Sequence, residues 1–429
     1  MLAAGSVVRV QVIDTAAAFA QACNTLRGGT GPFAVDAERA SGFTYSQRAY
    51  LIQIHRRGAG TFLFDPPPIG DMSELTEVAG DAEWVIHAAS QDLPCLREVG
   101  IAPRELFDTE LAARLLGFEK VGLGAVVEQL LDIHLAKEHS AVDWSTRPLP
   151  EPWLEYAALD VELLVDVRDK LVELLDEAGK TSIAQEEFGA ALAKPSKETP
   201  AEPWRRLSGL HTLRTPRQVA VARELWMTRD RIAAQRDVAP GRLVPDASLV
   251  AAVTAEPANK SDLAKLRTFN GRASRSLLDE WWSAIDRGRR TTELPVVRIK
   301  SPEPPPPRSW PERNPDAHRR LTVVRPRIAE LSESLNIPLE NLLTPSLLRS
   351  LAWAPPEDLT VAGVSYALSQ GGARAWQIAA SAELICVAFV DAESMVDEPD
   401  IEVSPEATMA DGADGTDTAS SLANGGDST

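Results

Sequence analysis

The chain reads as an α/β domain followed by two small all-helical units, and three observations predict that class. Residues 5–180 alternate short β-rich runs with helical stretches, residues 204–290 are helical by pattern with no strand run, and two proline-marked linkers divide the blocks. With 429 residues and 44% hydrophobic content, the chain exceeds one typical core and fits two or three domains.

In order, the first block (1–192) carries β-rich runs at VVRVQVI (7–13), FAVDAE (33–38), YLIQI (50–54), TFLFD (61–65) and WVIHAA (84–89). Helical stretches include TELAARLLGF (109–118) and one long helix through WLEYAALDVELLVDVRDKLVELLDEAG (153–179). The apolar N-terminus lacks a basic flank and is interrupted by Asp14, so it reads as a first strand and helix rather than a secretion signal. Residues 193–203 are a linker, and 204–295 form a helical unit with turn signals at APG, EPAN and FNGR. A Pro-rich spacer (296–310, with SPEPPPP) leads to a second helical unit at 311–392. The remainder, 393–429, is acidic, and from Asp391 onward there are eleven acids and no Lys or Arg, so the tail is expected to be disordered. No apolar run looks long enough for the roughly 20 residues of a bilayer span, which predicts a soluble, cytoplasmic chain with no membrane partner. Three distant cysteines, Cys23, Cys95 and Cys386, offer neither a disulfide framework nor zinc spacing and fit a reducing compartment.

Net charge is −18, but its distribution matters more than its sum. Residues 1–203 carry −15, residues 204–327 carry +12 and residues 328–429 carry −15. A basic block between acidic ones is expected where one module grips phosphates while another uses carboxylates for chemistry.

That chemistry is sought first at Asp36 and Glu38. Two residues apart on the strand run 33–38, they present carboxylates to one side. Asp-x-Glu recurs at Asp81, Asp108, Asp160, Asp391 and Asp400, and what separates the first copy is its apolar strand setting. On a helical period, Trp153, Tyr156, Leu159, Leu163, Leu164, Val167, Leu171 and Leu174 form an apolar stripe with Asp160 in its middle. A carboxylate there needs a compensating partner, either a basic residue or a metal, because desolvating an ion costs several kcal/mol. Tyr156 sits one turn earlier on the same face. Asp92 follows the strand run that ends at His87; with Ser90 as the cap it falls in the first turn of a helix, where taken singly it would complement the helix dipole.

The order Asp-x-Glu on a strand, Asp at a strand-to-helix junction, then Tyr-x-x-x-Asp on a helix resembles the tyrosine-bearing subgroup of the DEDD exonuclease superfamily, and within it the ribonuclease D family. YLIQI, HAASQDLPCL (87–96), LFDTELAARLLG (106–117), VGLGAVV (121–127) and KEHSAVDWSTRPLP (137–150) extend the resemblance over most of residues 5–180. The resemblance implies a ribonuclease-H-like mixed sheet flanked by helices, and 3′-to-5′ hydrolysis of RNA from a free 3′ end, releasing nucleoside 5′-monophosphates. It also implies two divalent ions, Mg²⁺ or Mn²⁺, for which four carboxylates supply the hard oxygen ligands. Asp36 would bridge both ions, Glu38 and Asp160 would hold the water-activating ion, Asp92 would hold the leaving-group ion, and Tyr156 would orient the water. Gln53, His87, Lys137, Trp144 and Arg147 are candidates for the substrate strand.

The basic unit resembles the helicase-and-ribonuclease-D C-terminal (HRDC) domain through LRTPRQVAVARELWMTRDRIAAQRDVAPGRLVPDASLVAAV and LAKLRTFNGR. This implies nucleic-acid binding, with Arg229, Arg236, Arg242, Arg272 and Arg275 as candidate phosphate contacts. The unit at 311–392, with ENLLTPSLLRSLAW, looks like a divergent second copy with few basic residues after Arg327. Gly179-Lys180-Thr181 imitates a phosphate-binding loop, but Leu174 stands where the first glycine is required, and no nucleotide-hydrolysing motif set is present, so no nucleotide cofactor is expected. The expected partner is RNA, precursors of transfer RNA in particular, and the expected state is a monomer. A DNA 3′ exonuclease acting in repair and a binding protein with a decayed nuclease site are the competing readings.

Overall fold

The structure, a computed structural model, describes residues 11–135, 142–195, 199–269, 271–299 and 303–395. Lys137, most of the first β-rich run and the acidic tail beyond Met395 lie outside the described residues. The first block forms a six-stranded mixed sheet: β1 (Val12–Ile13), β2 (Thr30–Arg39), β3 (Ala49–Arg57), β4 (Gly60–Phe64), β5 (Glu83–Ile86) and β6 (Glu105–Asp108), in the order β1-β4-β3-β2-β5-β6. β2, β3 and β4 are antiparallel neighbours, whereas β5 and β6 continue parallel to β2 on its other side.

The alternation of β2 creates the site. Phe33, Val35 and Ala37 pack into one core with Ile52, Ile54, Phe64 and Trp84. Ala34 points the other way, into a core with Val85, Val161 and Leu164, and on a two-residue period Asp36 and Glu38 share that face. The helices Glu151–Glu162 and Leu164–Glu177 pack against it.

These two helices correct the single long helix expected from the sequence. The chain breaks at Leu163 (φ −91°, ψ −12°), and the apolar stripe does not run through it: Leu159 is 47% exposed, and Ala157, Ala158 and Val161 do the packing instead. Two helices at different angles follow the curvature of a twisted sheet better than one straight rod. Gly179-Lys180-Thr181 is a helix junction, with Gly179 at φ 66° and the Lys180 ammonium donating to the carbonyls of Leu115 and Asn336.

The basic unit has its own core around Trp204, Leu225, Leu249, Phe269 and Trp281. Its long helix Pro216–Arg236 starts from a Thr215–Gln218 capping box and ends at Asp237 in the left-handed region. The C-terminal unit is built on the helices Pro315–Leu335 and Ala375–Ser394, and its core residues, Trp310, Leu321 and Phe389 among them, form one cluster with the exonuclease-face core. The Ala375–Ser394 helix corrects the expectation about apolar length, because at 20 residues and mean hydropathy 1.4 it meets a membrane span's length and composition. Ser381, Ala382, Ile385, Ala388 and Phe389 bury one of its faces in the molecule, as in a core helix.

Candidate active site

Strand β2 and the helix Glu151–Glu162 bring Asp36, Glu38 and Asp160 together, with one carboxylate oxygen of each within 4.8 Å of the others. The three line a cleft of about 610 Å³ together with Asp92, Tyr156, Arg39 and His87. Tyr156, one helical turn before Asp160, hydrogen-bonds its carboxylate. Asp92 lies outside the triangle, yet its charge acts on Glu38 and that of Asp36 acts on it.

The junction carrying Asp92 differs in detail from expectation. β5 ends at Ile86, the next helix is Leu93–Glu98, and Asp92 occupies the position before its first residue without making a side-chain cap bond. Its carboxylate, 5% exposed, is therefore left to the cleft, where its nearest cation is Arg39 at 4.0 Å.

Burial, and behind it mutual charge, raises the carboxyls of the cluster. Burial lifts Asp36 to about 6 against the opposing pull of the Ala37 N–H and Arg39. Burial and the neighbouring carboxylates raise Glu38 to about 10 and Asp160 to about 7, and burial with the charge of Asp36 holds Asp92 well above the usual carboxylate range. The Tyr156 phenol is pushed up by burial and by Asp160, so it stays protonated. Hard oxygen donors crowded to mutual repulsion fit a divalent cation, which would relieve every one of these shifts.

Behind the ligands, Asp108 and Gln53 fix the geometry. Asp108 is buried and accepts the N–H groups of Ala88 and Ala89 at 3.0 and 2.9 Å, and of Glu110 and Leu111 at 3.0 and 3.1 Å. It thereby holds the 87–92 turn, in which Ala88 adopts φ 59°. Gln53, paired with Asp36 across β2 and β3, donates to its carboxylate at 3.3 Å and is fully buried, so it orients Asp36 instead of meeting substrate.

The other expected substrate contacts divide. His87 lines the cleft with Nδ1 2.9 Å from the Thr109 hydroxyl, and burial lowers it to about 4, so it is neutral at pH 7. Trp144 is fully buried edge-on to Trp153 and has no face to stack a base. Arg147 is consumed by a bidentate pair with Asp65, at 2.7 and 2.8 Å, and by the Tyr50 carbonyl. In the basic unit Arg229 is 4% exposed and bound to Asp246 and the Val244 carbonyl, which corrects its reading as a phosphate contact. Arg275 is exposed, and Arg236, Arg242 and Arg272 line a separate cleft. Sequence reasoning missed Arg39 and Asp108; the only signals were a cation directly after Glu38 and an Asp-x-Glu copy dismissed as one of several.

Comparison with known proteins agrees with this geometry. Residues 10–176 match a 3′-5′ exonuclease family, 218–285 the HRDC domain, and 303–389 a 3′-to-5′ exonuclease C-terminal domain. Ribonuclease D of Pseudomonas paraeruginosa is 33% identical over 311 residues, covering 70% of this chain and 80% of the relative. That of Zymomonas mobilis is 31% identical over 292 residues, covering 66% and 70%. Among solved structures, a protein from Bifidobacterium adolescentis is 37% identical with TM-score 0.82, covering 89% of this chain and 97% of its own. Escherichia coli RNase D, described as an exoribonuclease involved in structured RNA processing, is 25% identical with TM-score 0.64, covering 89% and 99%. An acid-lined cleft on an exonuclease sheet, an HRDC domain following it in the chain, and relatives that match the chain over most of their length place this 3′-to-5′ exoribonuclease in the ribonuclease D family.

Proposed function

We propose that the chain trims the 3′ ends of structural RNA precursors such as those of transfer RNA, by two-metal hydrolysis releasing nucleoside 5′-monophosphates. The convergence of Asp36, Glu38 and Asp160 within 4.8 Å carries the reading. When bound there, divalent ions, Mg²⁺ or Mn²⁺, would supply Lewis acidity to the phosphodiester and acidify water. In this reading Asp36, Glu38 and Asp160, with Asp92 beside them, would hold the ions through hard carboxylate oxygens. Tyr156, a phenol kept protonated beside Asp160, orients the attacking water by hydrogen bond. Arg39 is the cleft's own cation for the scissile phosphate, and neutral His87 offers a hydrogen bond without charge.

The C-terminal unit is read as a second, divergent HRDC-like domain. An offset of 99 residues superposes Thr215 on Asn314 as helix caps, Asp237 on Asn336 as left-handed ends, and Pro240–Leu243 on Leu339–Leu342.

Purified protein with Mg²⁺ or Mn²⁺ and an RNA bearing an unpaired 3′ end tests this. Stepwise shortening with monophosphate release is expected, and Asp36→Ala or Asp160→Ala should lower kcat at least about 100-fold with RNA binding retained. Near-normal turnover in either variant sinks the site, and faster degradation of the matching DNA strand sinks the substrate.

A further inference from the structure

β5 and β6 run parallel with Ile86 opposite Asp108, so the residues that follow them, His87 and Thr109, leave the two strands side by side. Their side chains meet, with His87 Nδ1 2.9 Å from the Thr109 hydroxyl oxygen. Asp108 and Thr109 thus form a two-residue clamp: the first holds the N–H groups of Ala88 and Ala89, and the second holds the ring of His87.

Either partner of the His87–Thr109 bond could donate, and their surroundings decide which one does. Thr109 is fully buried, and its hydroxyl has no other acceptor among the described residues. A buried hydroxyl proton is kept from water and needs an acceptor, so Thr109 donates and Nδ1 accepts. Burial lowers His87 to about 4, and the charges that act on it most, Glu110 and Arg114, are paired with each other at 2.6 Å. The ring is therefore neutral, and with Nδ1 accepting, its one proton sits on Nε2. No described residue accepts from Nε2, which is not sealed from solvent, and His87 lines the catalytic cleft. The donor opens into that cleft.

We propose that Thr109 is a positioning residue that fixes His87 as an Nε2–H donor, and that this donor binds an acceptor oxygen of the RNA beside the scissile bond. A ribose hydroxyl and a phosphate oxygen are the two oxygens of that chemistry. For its substrate the proposal rests on the exoribonuclease reading above; for its tautomer it does not. A neutral donor suits the place, since an imidazolium there would repel the cations that Asp36, Glu38 and Asp160 are arranged to hold.

The first test needs no substrate. In the full chain labelled with ¹⁵N-histidine, the His87 signals are identified by their loss in His87→Ala. Long-range ¹⁵N–¹H spectra at about pH 7 should show Nδ1 bare and Nε2 protonated. An Nδ1–H tautomer, or a mixture of the two, overturns the proposal, whether or not any Thr109 variant folds. Kinetics with Mn²⁺ and a single-stranded RNA test the role. Thr109→Val, which keeps the volume and removes the hydroxyl, should lower kcat/KM about three- to tenfold, the loss of one neutral hydrogen bond. Thr109→Ser should restore it to within about twofold, and adding Thr109→Val to His87→Ala should cost nothing further. Additive losses in the double variant, or a serine variant as impaired as the valine one, would make Thr109 a packing residue and overturn its assignment. An RNA lacking the 2′-hydroxyl on its last two riboses distinguishes the oxygens: the Thr109→Val effect vanishes on it if the ribose is read and persists if the phosphate is. Failure of the underlying reading has another signature: the wild type shows the Nε2–H tautomer and releases no monophosphate from RNA.

Discussion

Asp108 acts on the site through four backbone N–H groups, two from the 88–89 turn and two from the helix Thr109–Leu115 that Asp108 itself caps. Its Oδ1 takes three of these bonds and Oδ2 takes the fourth, from Ala89. The carboxylate thus ties β6 to the turn that presents His87 and Asp92, and it compensates the left-handed conformation of Ala88. Asp108→Asn keeps an acceptor for three bonds but turns an amide N–H₂ toward the Ala89 N–H. Leaving a buried donor unsatisfied costs about 1–3 kcal/mol. The variant should melt a few degrees lower, at about 2–4 °C per kcal/mol for a unit of this size. It should also need more Mn²⁺ for half-maximal activity, because Asp92 loses its register. Calorimetry together with a metal titration checks both; a fall in melting temperature with an unchanged metal requirement would make Asp108 a purely structural residue.

At the scale of elements, both helical domains meet the exonuclease domain through the same device, the left-handed end of a 21-residue helix. Asp237 caps the 46–50 segment, while the Asn336 side chain donates to the Leu116 carbonyl and lies against Gly117, which sits at φ 76°. A Cβ on Gly117 would approach the Asn336 amide to 2.2 Å, on top of the strain of a positive φ. Gly117→Ala should therefore destabilise the protein by about 1–3 kcal/mol and loosen the C-terminal unit, seen as earlier melting and faster proteolysis near that interface. A melting temperature within a degree of wild type would show that Asn336 moves aside freely. None of this docking was legible in the sequence, because a helix end looks the same whether it faces water or another domain. The β-rich runs and the turn signals were legible, since both follow from local alternation and turn chemistry. The acids were legible for a different reason: Asp36 and Glu38 interrupt an apolar strand, and Asp160 interrupts an apolar helix. The break at Leu163 was not, because in the sequence leucines and valines recur at helical spacing on both sides of it, although the folded helices do not bury that stripe as one face. Trp144 and Arg147 misled because an aromatic and an arginine beside a site look alike whether they face substrate or core; only Asp65, 82 residues away, reveals Arg147 as a strut.

Over the whole molecule, the acidic blocks and the basic domain divide the work, and the acidic cluster ties stability to pH. Asp36, Asp160 and Glu38 stand at about 6, 7 and 10 in the folded chain, against ordinary values of 3.8, 3.8 and 4.5. The folded state therefore holds protons that the unfolded state has already released, so stability falls as pH rises wherever these groups differ. Their contribution is fully present below about pH 4 and is lost as pH climbs through about 6, 7 and then 10. A divalent cation held by the cluster would take its deprotonated form and compete with those protons, so its stabilisation should grow with pH. In chelator, melting temperature should fall between about pH 5.5 and about pH 8.5. Adding Mn²⁺ should raise it more at the higher pH, and exonuclease activity should increase across the same interval as the cluster loses protons to the metal. Asp36→Asn with Asp160→Asn should flatten both trends, which separates this cluster from the chain's other carboxylates. A Mn²⁺-induced shift that is equal at the two pH values, or larger at the lower one, would mean that the cation stabilises the protein somewhere other than these three acids.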